Sequence, residues 1–160
     1  MPVDTTAREV AEARRTALRI GVILGGGVMG SIDEIIFHQL LRWHHFYDHR
    51  SQAWRIASDG LLHAVTLTLL AAGVMLLWAE RGRLVRLGGA QPIWSGVLLG
   101  MGGFQLFDGI VDHKVLRLHQ IRDDTDNLLA YDLVWNGVAL GLLAGGWLLW
   151  RGRSGSATGR

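Results

Sequence analysis

Four long stretches almost free of Lys and Arg restrict the fold of this chain more than any other feature. They cover residues 17–41, 57–78, 93–115 and 128–150. Each contains about the 20 residues that a helix rising 1.5 Å per residue needs to cross a hydrocarbon core of about 30 Å. A soluble helical protein would instead place polar residues at every third or fourth position on its wet face. The sequence therefore predicts an all-α integral membrane protein with four transmembrane helices.

The basic residues that flank these stretches predict the orientation in the membrane. Of the 16 Lys and Arg residues, ten lie in the two termini and the middle loop, and six lie near the other two loops. Because cytoplasmic loops are enriched in Lys and Arg, we expect both termini to be cytoplasmic. We accordingly divide the chain into a cytoplasmic N-terminal segment (1–18), a four-helix membrane domain (19–151) and a disordered polar tail (152–160).

The membrane domain contains an internal repeat. Shifting its first half (19–79) by 75 positions aligns rare intramembrane residue types with the second half (93–151). The aligned pairs are Gly21/Gly96, Gly25/Gly100, Asp33/Asp108, His38/His113, Arg42/Arg117 and His44/His119. The second helix of each half matches at an offset of 73, which aligns Asp59 with Asp132 and His63 with Asn136. Each half contains two spans, so both halves insert in the same orientation. We expect a four-helix bundle of two parallel helical-hairpin repeats, related by a pseudo-two-fold axis along the membrane normal.

Glycines four residues apart predict where two of the helices meet. Gly21 and Gly25 in the first span correspond to Gly96 and Gly100 in the third. Small residues at this spacing allow close approach of helix backbones in a membrane. We therefore expect the first helix to pack against the third.

Ionisable side chains inside the apolar spans indicate a functional site. A charged group at bilayer depth costs about 2.5–3.5 kcal/mol on insertion scales, so such residues are rare without a function. The chain has nine of them: Asp33, Glu34, His38, Asp59, His63, Asp108, Asp112, His113 and Asp132. Counting from the outer aromatic residues Trp43 and Trp54 places His38, Asp59 and His63 in one layer below the outer interface.

Helix geometry limits which of these residues share a site. Asp59 and His63 are four residues apart and lie on one face, a spacing that suits a pair of metal ligands. Asp33 and His38 are five residues apart, about 140° on an ideal α-helix. One site can take both of them only if the helix is distorted.

Two interpretations of the polar residues involve a cofactor. The first is a transition-metal site, because imidazole and carboxylate ligands together suit Cu, Zn or Fe. Its candidate ligands are His38, Asp59, His63, His113 and Asp132. The second is a haem site, in which His38 and His113 supply the axial ligands from related helices.

Two other interpretations need no cofactor. A proton-conducting or small-solute-conducting bundle would use ionisable residues as a relay. The candidate relay or supporting residues are Asp33, Asp108, His44, His119 and Asn136. A purely structural protein would use Asp–His hydrogen bonds between helices, each worth about 0.6 kcal/mol. The sequence has no nucleophile or phosphate-binding motif and no nucleic-acid surface, which leaves enzymatic activity open and predicts no nucleic-acid partner.

The first outer loop adds three more histidines beside aromatic residues. His44, His45 and His49 follow or flank Trp43 and Tyr47. They either capture metal ions or act as interfacial ring residues. The interfacial role is favoured at this point.

Two motifs resemble a known family. The strings Asp33-Glu-Ile-Ile-Phe-His38 and Asp108-Gly-Ile-Val-Asp-His113 are similar to the signature of bacterial membrane proteins known as domain of unknown function number 2243. The likeness covers about residues 19–151, although Glu34 replaces the family's glycine in the first motif. It implies a multi-pass protein of the bacterial inner membrane and supplies no established activity. Relatives that lie near cytochrome oxidase assembly factors favour copper or haem and point to a role in respiratory-oxidase maturation. Expected partners are the lipid bilayer and either a second copy of the chain, as a homodimer, or an oxidase-assembly protein.

Overall fold

The computed structural model describes residues 3–122 and 125–152, and these residues form helices and connecting loops without a β-strand. We number the helices α1 (Val3–Ile32), α2 (Gln52–Arg83), α3 (Gln91–Phe107) and α4 (Leu128–Arg151). Three of them continue as π-helical segments, at Asp33–Leu40 after α1, Leu84–Gly88 after α2 and Asp108–Val115 after α3. The predicted all-α fold with four helices is confirmed.

Three of the described helical stretches are long and apolar enough to cross a membrane. They are Thr6–Leu40, Gln52–Leu87 and Leu128–Arg151. The remaining predicted span, 93–115, is covered by α3 and its π-helical segment, and its crossing of the membrane stays a prediction. The predicted N-terminal segment is helical from Val3 and continuous with α1. The predicted disordered tail lies outside the described residues after position 152.

Glycines bring the backbones of α1 and α3 into contact at the centre of the bundle. A Cβ atom on Gly21 would lie 2.9 Å from Gly96 Cα and would overlap a carbonyl oxygen of α3. A Cβ atom on Gly100 would overlap the Val22 carbonyl oxygen. The predicted packing of the first helix against the third is confirmed. α2 packs against α1, and α4 packs against α3.

Apolar side chains cover the outer faces of α2 and α4. Only 17% of the apolar 18-residue stretch in each of these two helices is buried within the protein. Exposed side chains include Leu61, Met75, Leu133 and Leu148. Soluble monomers rarely expose a continuous apolar surface of this size. Contact with lipid acyl chains accounts for it.

Two loops cover the ends of the π-helical segments that follow α1 and α3. Arg42 and Arg117 both adopt a left-handed backbone with φ of 52°. This conformation is uncommon for a residue with a Cβ atom, and it turns the chain back across the helix ends. The Asp48 amide donates a hydrogen bond to the Leu118 carbonyl at 3.2 Å, which joins the two loops.

Candidate metal centre

The two repeated polar motifs lie in π-helical segments, which change the residues that face inward. A π-helix forms hydrogen bonds between residues five apart, as the Leu41 amide does with the Ile36 carbonyl at 2.9 Å. Residues five positions apart then share a face. Asp33 Oδ2 consequently lies 3.5 Å from His38 Nε2, a pairing that an ideal α-helix would prevent. The π-helical segment is thus the helix distortion that Asp33 and His38 need to share one site.

A first triad consists of Asp33, His38 and His44. The second oxygen of Asp33, Oδ1, lies 3.9 Å from His44 Nε2, so this carboxylate approaches both rings. All three side chains are almost completely buried. His44 reaches inward because the left-handed turn at Arg42 reverses the chain two residues earlier.

A second triad consists of Asp108, His113 and His119, each 75 positions after its counterpart. His113 Nε2 lies 3.1 Å from Asp108 Oδ2, and His119 Nε2 lies 3.5 Å from Asp108 Oδ1. These side chains are also buried. The left-handed turn at Arg117 stands two residues before His119, as Arg42 does before His44.

The two triads adjoin each other. The rings of His44 and His119 stack with centroids 4.5 Å apart and an interplanar angle of 7°. His38 contacts His44 edge-on at 4.5 Å, and His113 contacts His119 in the same way at 4.5 Å. We call these six residues the His/Asp cluster: Asp33, His38, His44, Asp108, His113 and His119.

Backbone carbonyls of the opposite loop orient the two loop histidines. His44 Nδ1 lies 2.7 Å from the Ile121 carbonyl oxygen, and His119 Nδ1 lies 3.0 Å from the Phe46 carbonyl oxygen. A carbonyl only accepts, so each ring donates from Nδ1. A neutral ring then has its lone pair on Nε2, the nitrogen that faces the carboxylate of its triad.

Asp59 of α2 orients His38 and lies beside the cluster. Its Oδ1 lies 3.1 Å from His38 Nδ1, and it also accepts a 2.8 Å hydrogen bond from the Phe46 amide. Its Oδ2 lies 2.6 Å from His45 Nδ1. Glu34 Oε2 approaches the same His38 nitrogen at 3.0 Å. Asp59 therefore acts on the cluster through His38.

The inward-facing atoms of the cluster have no hydrogen-bond partner among the described residues. They are the Nε2 atoms of His38, His44, His113 and His119, with Asp33 Oδ1 and Asp108 Oδ2. The carboxylate oxygens that approach the rings are too distant or too poorly aligned to bond them. A buried polar group without a partner costs about 1–3 kcal/mol. Imidazole and carboxylate donors in this arrangement form a ligand set that transition metals prefer.

The buried carboxylates next to the cluster have no lysine or arginine partner in the described part of the chain. Asp33, Glu34, Asp59 and Asp108 are buried, and their ion-pair contacts there are with histidines alone. A buried charge is costly unless an opposite charge compensates it. Metal cations would supply that compensation.

The stacked histidines differ in their affinity for a proton. Burial, together with His119 and His38, lowers the pKa of His44 to about 2. Burial also disfavours the charged form of His119, but the adjacent Asp108 carboxylate outweighs it and raises the pKa of His119 above 6.5. Of the two stacked rings, His119 therefore has the higher affinity for a proton.

The structure does not bring His63 to the cluster. The buried stripe of α2 runs through Asp59, Leu62 and Thr66, and the His63 side chain beside it is exposed. A step of four residues rotates about 40° beyond a full helical turn. That rotation places His63 off the stripe.

Asp132 and Asn136 lie outside the cluster as well. Asp132 Oδ2 pairs with Lys114 Nζ at 2.6 Å. Asn136 Nδ2 donates to the Asp132 carbonyl at 2.9 Å, and its Oδ1 lies close to Gly109. Asp132 thus does not repeat the contact that Asp59 makes with His38.

Sequence reasoning missed several contributors to the site. The carbonyls of Phe46 and Ile121 carry no side-chain signal, so no pattern could have identified them. The pairing of Lys114 with Asp132 was also missed, although a basic residue beside an intramembrane histidine was a usable signal. The sequence assigned His44 and His119 to supporting roles, because nothing in it indicated that the loops fold inward.

Comparison with known proteins identifies a family. A family model described as predicted membrane protein (DUF2243) matches residues 20–153, which include every residue of the His/Asp cluster. No curated protein and no solved structure matches the chain.

Proposed function

The chain belongs to the DUF2243 family of predicted membrane proteins, and from this premise we propose that it binds two transition-metal ions in its buried His/Asp cluster. Asp33, His38 and His44 hold one ion. Asp108, His113 and His119 hold the other. The observation that carries the proposal is the set of four buried Nε2 atoms, each next to a carboxylate and without a hydrogen-bond partner in the described chain.

The spacing of the donor atoms supports this proposal, most directly in the second triad, whose three donor atoms lie within 4.8 Å of one another. Two ligands that are each about 2.1 Å from one ion lie roughly 3.0–3.4 Å apart at octahedral or tetrahedral angles. The Nε2 to carboxylate distances are 3.5 Å at His38, 3.1 Å at His113 and 3.5 Å at His119. The distance at His44 is 3.9 Å and requires a small inward movement of the loop. Two histidines and one carboxylate suit Fe, Zn or Cu and leave coordination positions open.

Charge balance favours two ions. Two divalent cations bring four positive charges to the buried carboxylates, which are Asp33, Glu34, Asp59, Asp108 and Asp112. Metal binding requires neutral imidazoles, and these carboxylates then have no other compensating charge within the described chain. Metal ions thus relieve both the unpaired donors and the buried negative charge.

The geometry favours metal ions over haem. His44 and His119 contact each other, and they also contact His38 and His113. Their rings fill the space that a porphyrin would need between the two predicted axial ligands. We therefore propose no haem.

Neither cofactor-free interpretation accounts for the site as well. A structural network of Asp–His bonds would pair the inward-facing nitrogens, which instead lack partners. A conducting path would need polar groups towards the other end of the bundle. The described core there contains an apolar cluster of Ala17, Ile20 and Leu84, with Leu24, Leu77 and Ile93 packed around them. The buried Ser95 hydroxyl at this end already donates a 2.6 Å hydrogen bond to the Gly146 carbonyl.

We also propose that the two triads are related by the pseudo-two-fold axis expected from the repeat. Matching contacts at positions 75 apart support this relation, and so does the exchange of carbonyl bonds between the loops. With both termini cytoplasmic, the cluster lies in the outer half of the bacterial inner membrane. A role in respiratory-oxidase maturation and a homodimeric or assembly partner remain predictions.

Metal analysis of the detergent-purified protein tests the proposal. After loading with Zn²⁺, Fe²⁺ or Cu²⁺ and removal of excess ion, elemental analysis should find two ions per chain for at least one of these metals, with no Soret absorbance. The double variant His38→Ala/His113→Ala should lose most of this metal. His63→Ala is the matched control, since it removes an exposed membrane histidine, and it should retain both ions. The proposal would be contradicted if the wild type bound no more metal than the background level, or if the double variant still bound two ions per chain.

A further inference from the structure

The two halves of the cluster differ on their outer sides. Beside the first half lies a cavity of about 380 Å³ that reaches His38. Gln39, Arg42, His45 and Asp59 are among its lining residues. We call this cavity the vestibule. Gln39 and Arg42 are exposed while Asp59 is buried, so the vestibule runs from the surface to the edge of the cluster.

Metal-binding groups lie at the inner end of the vestibule. Asp59 links the half-buried His45 to the buried His38, with distances of 2.6 and 3.1 Å. Glu34 lies next to the lining residue His38, with its Oε2 atom 3.0 Å from His38 Nδ1 and without a hydrogen-bond partner in the described chain. Donor atoms of Glu34, His38 and Asp59 lie within 4.8 Å of one another, close enough to hold a metal ion. This group shares only His38 with the two triads.

In the second half, a lysine ammonium lies where the vestibule would be. A shift of 75 positions replaces Gln39 by Lys114 and His45 by Gln120. Lys114 Nζ lies 2.6 Å from Asp132 Oδ2 and donates a 3.1 Å hydrogen bond to Gln120 Oε1. The Asp132 carboxylate is therefore already neutralised by the Lys114 ammonium. Its counterpart Asp59 has no lysine or arginine partner in the described residues.

We propose that divalent metal ions reach the cluster through the vestibule, where His45 and Asp59 capture them before Glu34 and His38 pass them inward. The fixed charge of Lys114 closes the equivalent route in the second half, because like charges repel at short range. This inference rests on the proposed metal site. It adds a one-sided loading route that is distinct from the final ligands.

The rate of Co²⁺ loading tests this route. Co²⁺ added to metal-free protein in detergent is followed by its visible absorbance, and the bound amount is measured at equilibrium. His45→Ala should slow loading at least tenfold and leave the final amount unchanged. Gln120→Ala, the matched change in the second half, should load within twofold of the wild-type rate. Equal rates for His45→Ala and the wild type, or equal slowing by Gln120→Ala, would overturn the vestibule and leave the proposed metal site standing.

A gain-of-function variant tests the role of Lys114. Lys114→Gln introduces the residue that the first half has at position 39, and it should open a second route. The double variant His45→Ala/Lys114→Gln should recover at least a third of the wild-type rate. Size-exclusion chromatography and circular dichroism verify that each variant is folded. No recovery in a folded double variant would overturn the barrier, and absence of Co²⁺ binding to the wild type would overturn the metal site itself.

Discussion

Each histidine of the cluster has one nitrogen that faces the centre, and in three of the four the other contacts an orienting group. His44 and His119 donate to carbonyls, and His38 meets the carboxylate of Asp59. Outer partners of this kind fix the orientation and tautomer of metal-binding imidazoles. His113 has no such partner among the described residues, because Lys114 engages the carboxylate of Asp132. We therefore expect the His38 triad to be the better ordered of the two.

Loss of the orienting carboxylate should weaken metal binding. Asp59→Asn removes the negative charge behind His38 and should lower metal affinity by about 10–100-fold, the usual cost of losing such a partner. Competition with a chromophoric chelator measures the affinity. Asp132→Asn is the matched control, because that carboxylate contacts Lys114 rather than a cluster histidine. An equal loss of affinity in both variants would count against the orienting role.

Acid should destabilise the metal-free protein through His44. The unfolded chain protonates this residue near its ordinary pKa of 6.5, whereas the folded protein keeps it neutral down to about pH 2. Stability is thus unaffected by His44 above pH 6.5 and falls as the pH drops below that value. Between pH 7 and pH 5, the wild type should lose about 2 kcal/mol more unfolding free energy than His44→Gln. Parallel pH profiles for the two proteins, measured by denaturant unfolding in detergent, would contradict this assignment.

The helices owe their arrangement to two features of different origin. The contact of α1 with α3 follows from glycine spacing, which is local in sequence and therefore predictable. The π-helical segments at Asp33–Leu40 and Asp108–Val115 place residues five apart on one face. No propensity marks such a segment in advance, because the surrounding packing stabilises it. The sequence could therefore state only that a distortion was needed to bring Asp33 and His38 together.

Substitution of a contact glycine should separate α1 from α3. The Cβ atom of Gly25→Ala would overlap the Val97 carbonyl oxygen and lie 2.9 Å from the Met101 amide nitrogen. Because both neighbours are backbone atoms, the steric overlap can be removed only by a shift of a whole helix. We therefore expect the unfolding free energy to fall by about 1–3 kcal/mol. Gly26→Ala is the control, since no atom lies within 4 Å of its Cβ position. Thermal unfolding in detergent compares them, and equal midpoints for the two variants would contradict the backbone contact.

On the scale of the whole molecule, the four described helices and their loops hold one cluster, and each of the two loops supplies a carbonyl that orients a histidine of the other loop. The apolar spans and the repeated Asp and His residues were visible in the sequence, since hydropathy and residue identity are local properties. The inward course of the loops was not visible, because it depends on left-handed turns at Arg42 and Arg117. The different contacts of Asp59, which orients His38, and Asp132, which does not orient a cluster histidine, were also not visible, because they depend on the ion pair between Lys114 and Asp132.

Anomalous diffraction from crystals of the metal-loaded protein tests the central claim most directly. Data collected above and below the absorption edge of the bound metal should show two peaks. One should lie about 2.0–2.3 Å from the Nε2 atoms of His38 and His44, and the other at the same distance from those of His113 and His119. A cluster without a peak, or peaks confined to exposed histidines such as His63 and His49, would contradict the account.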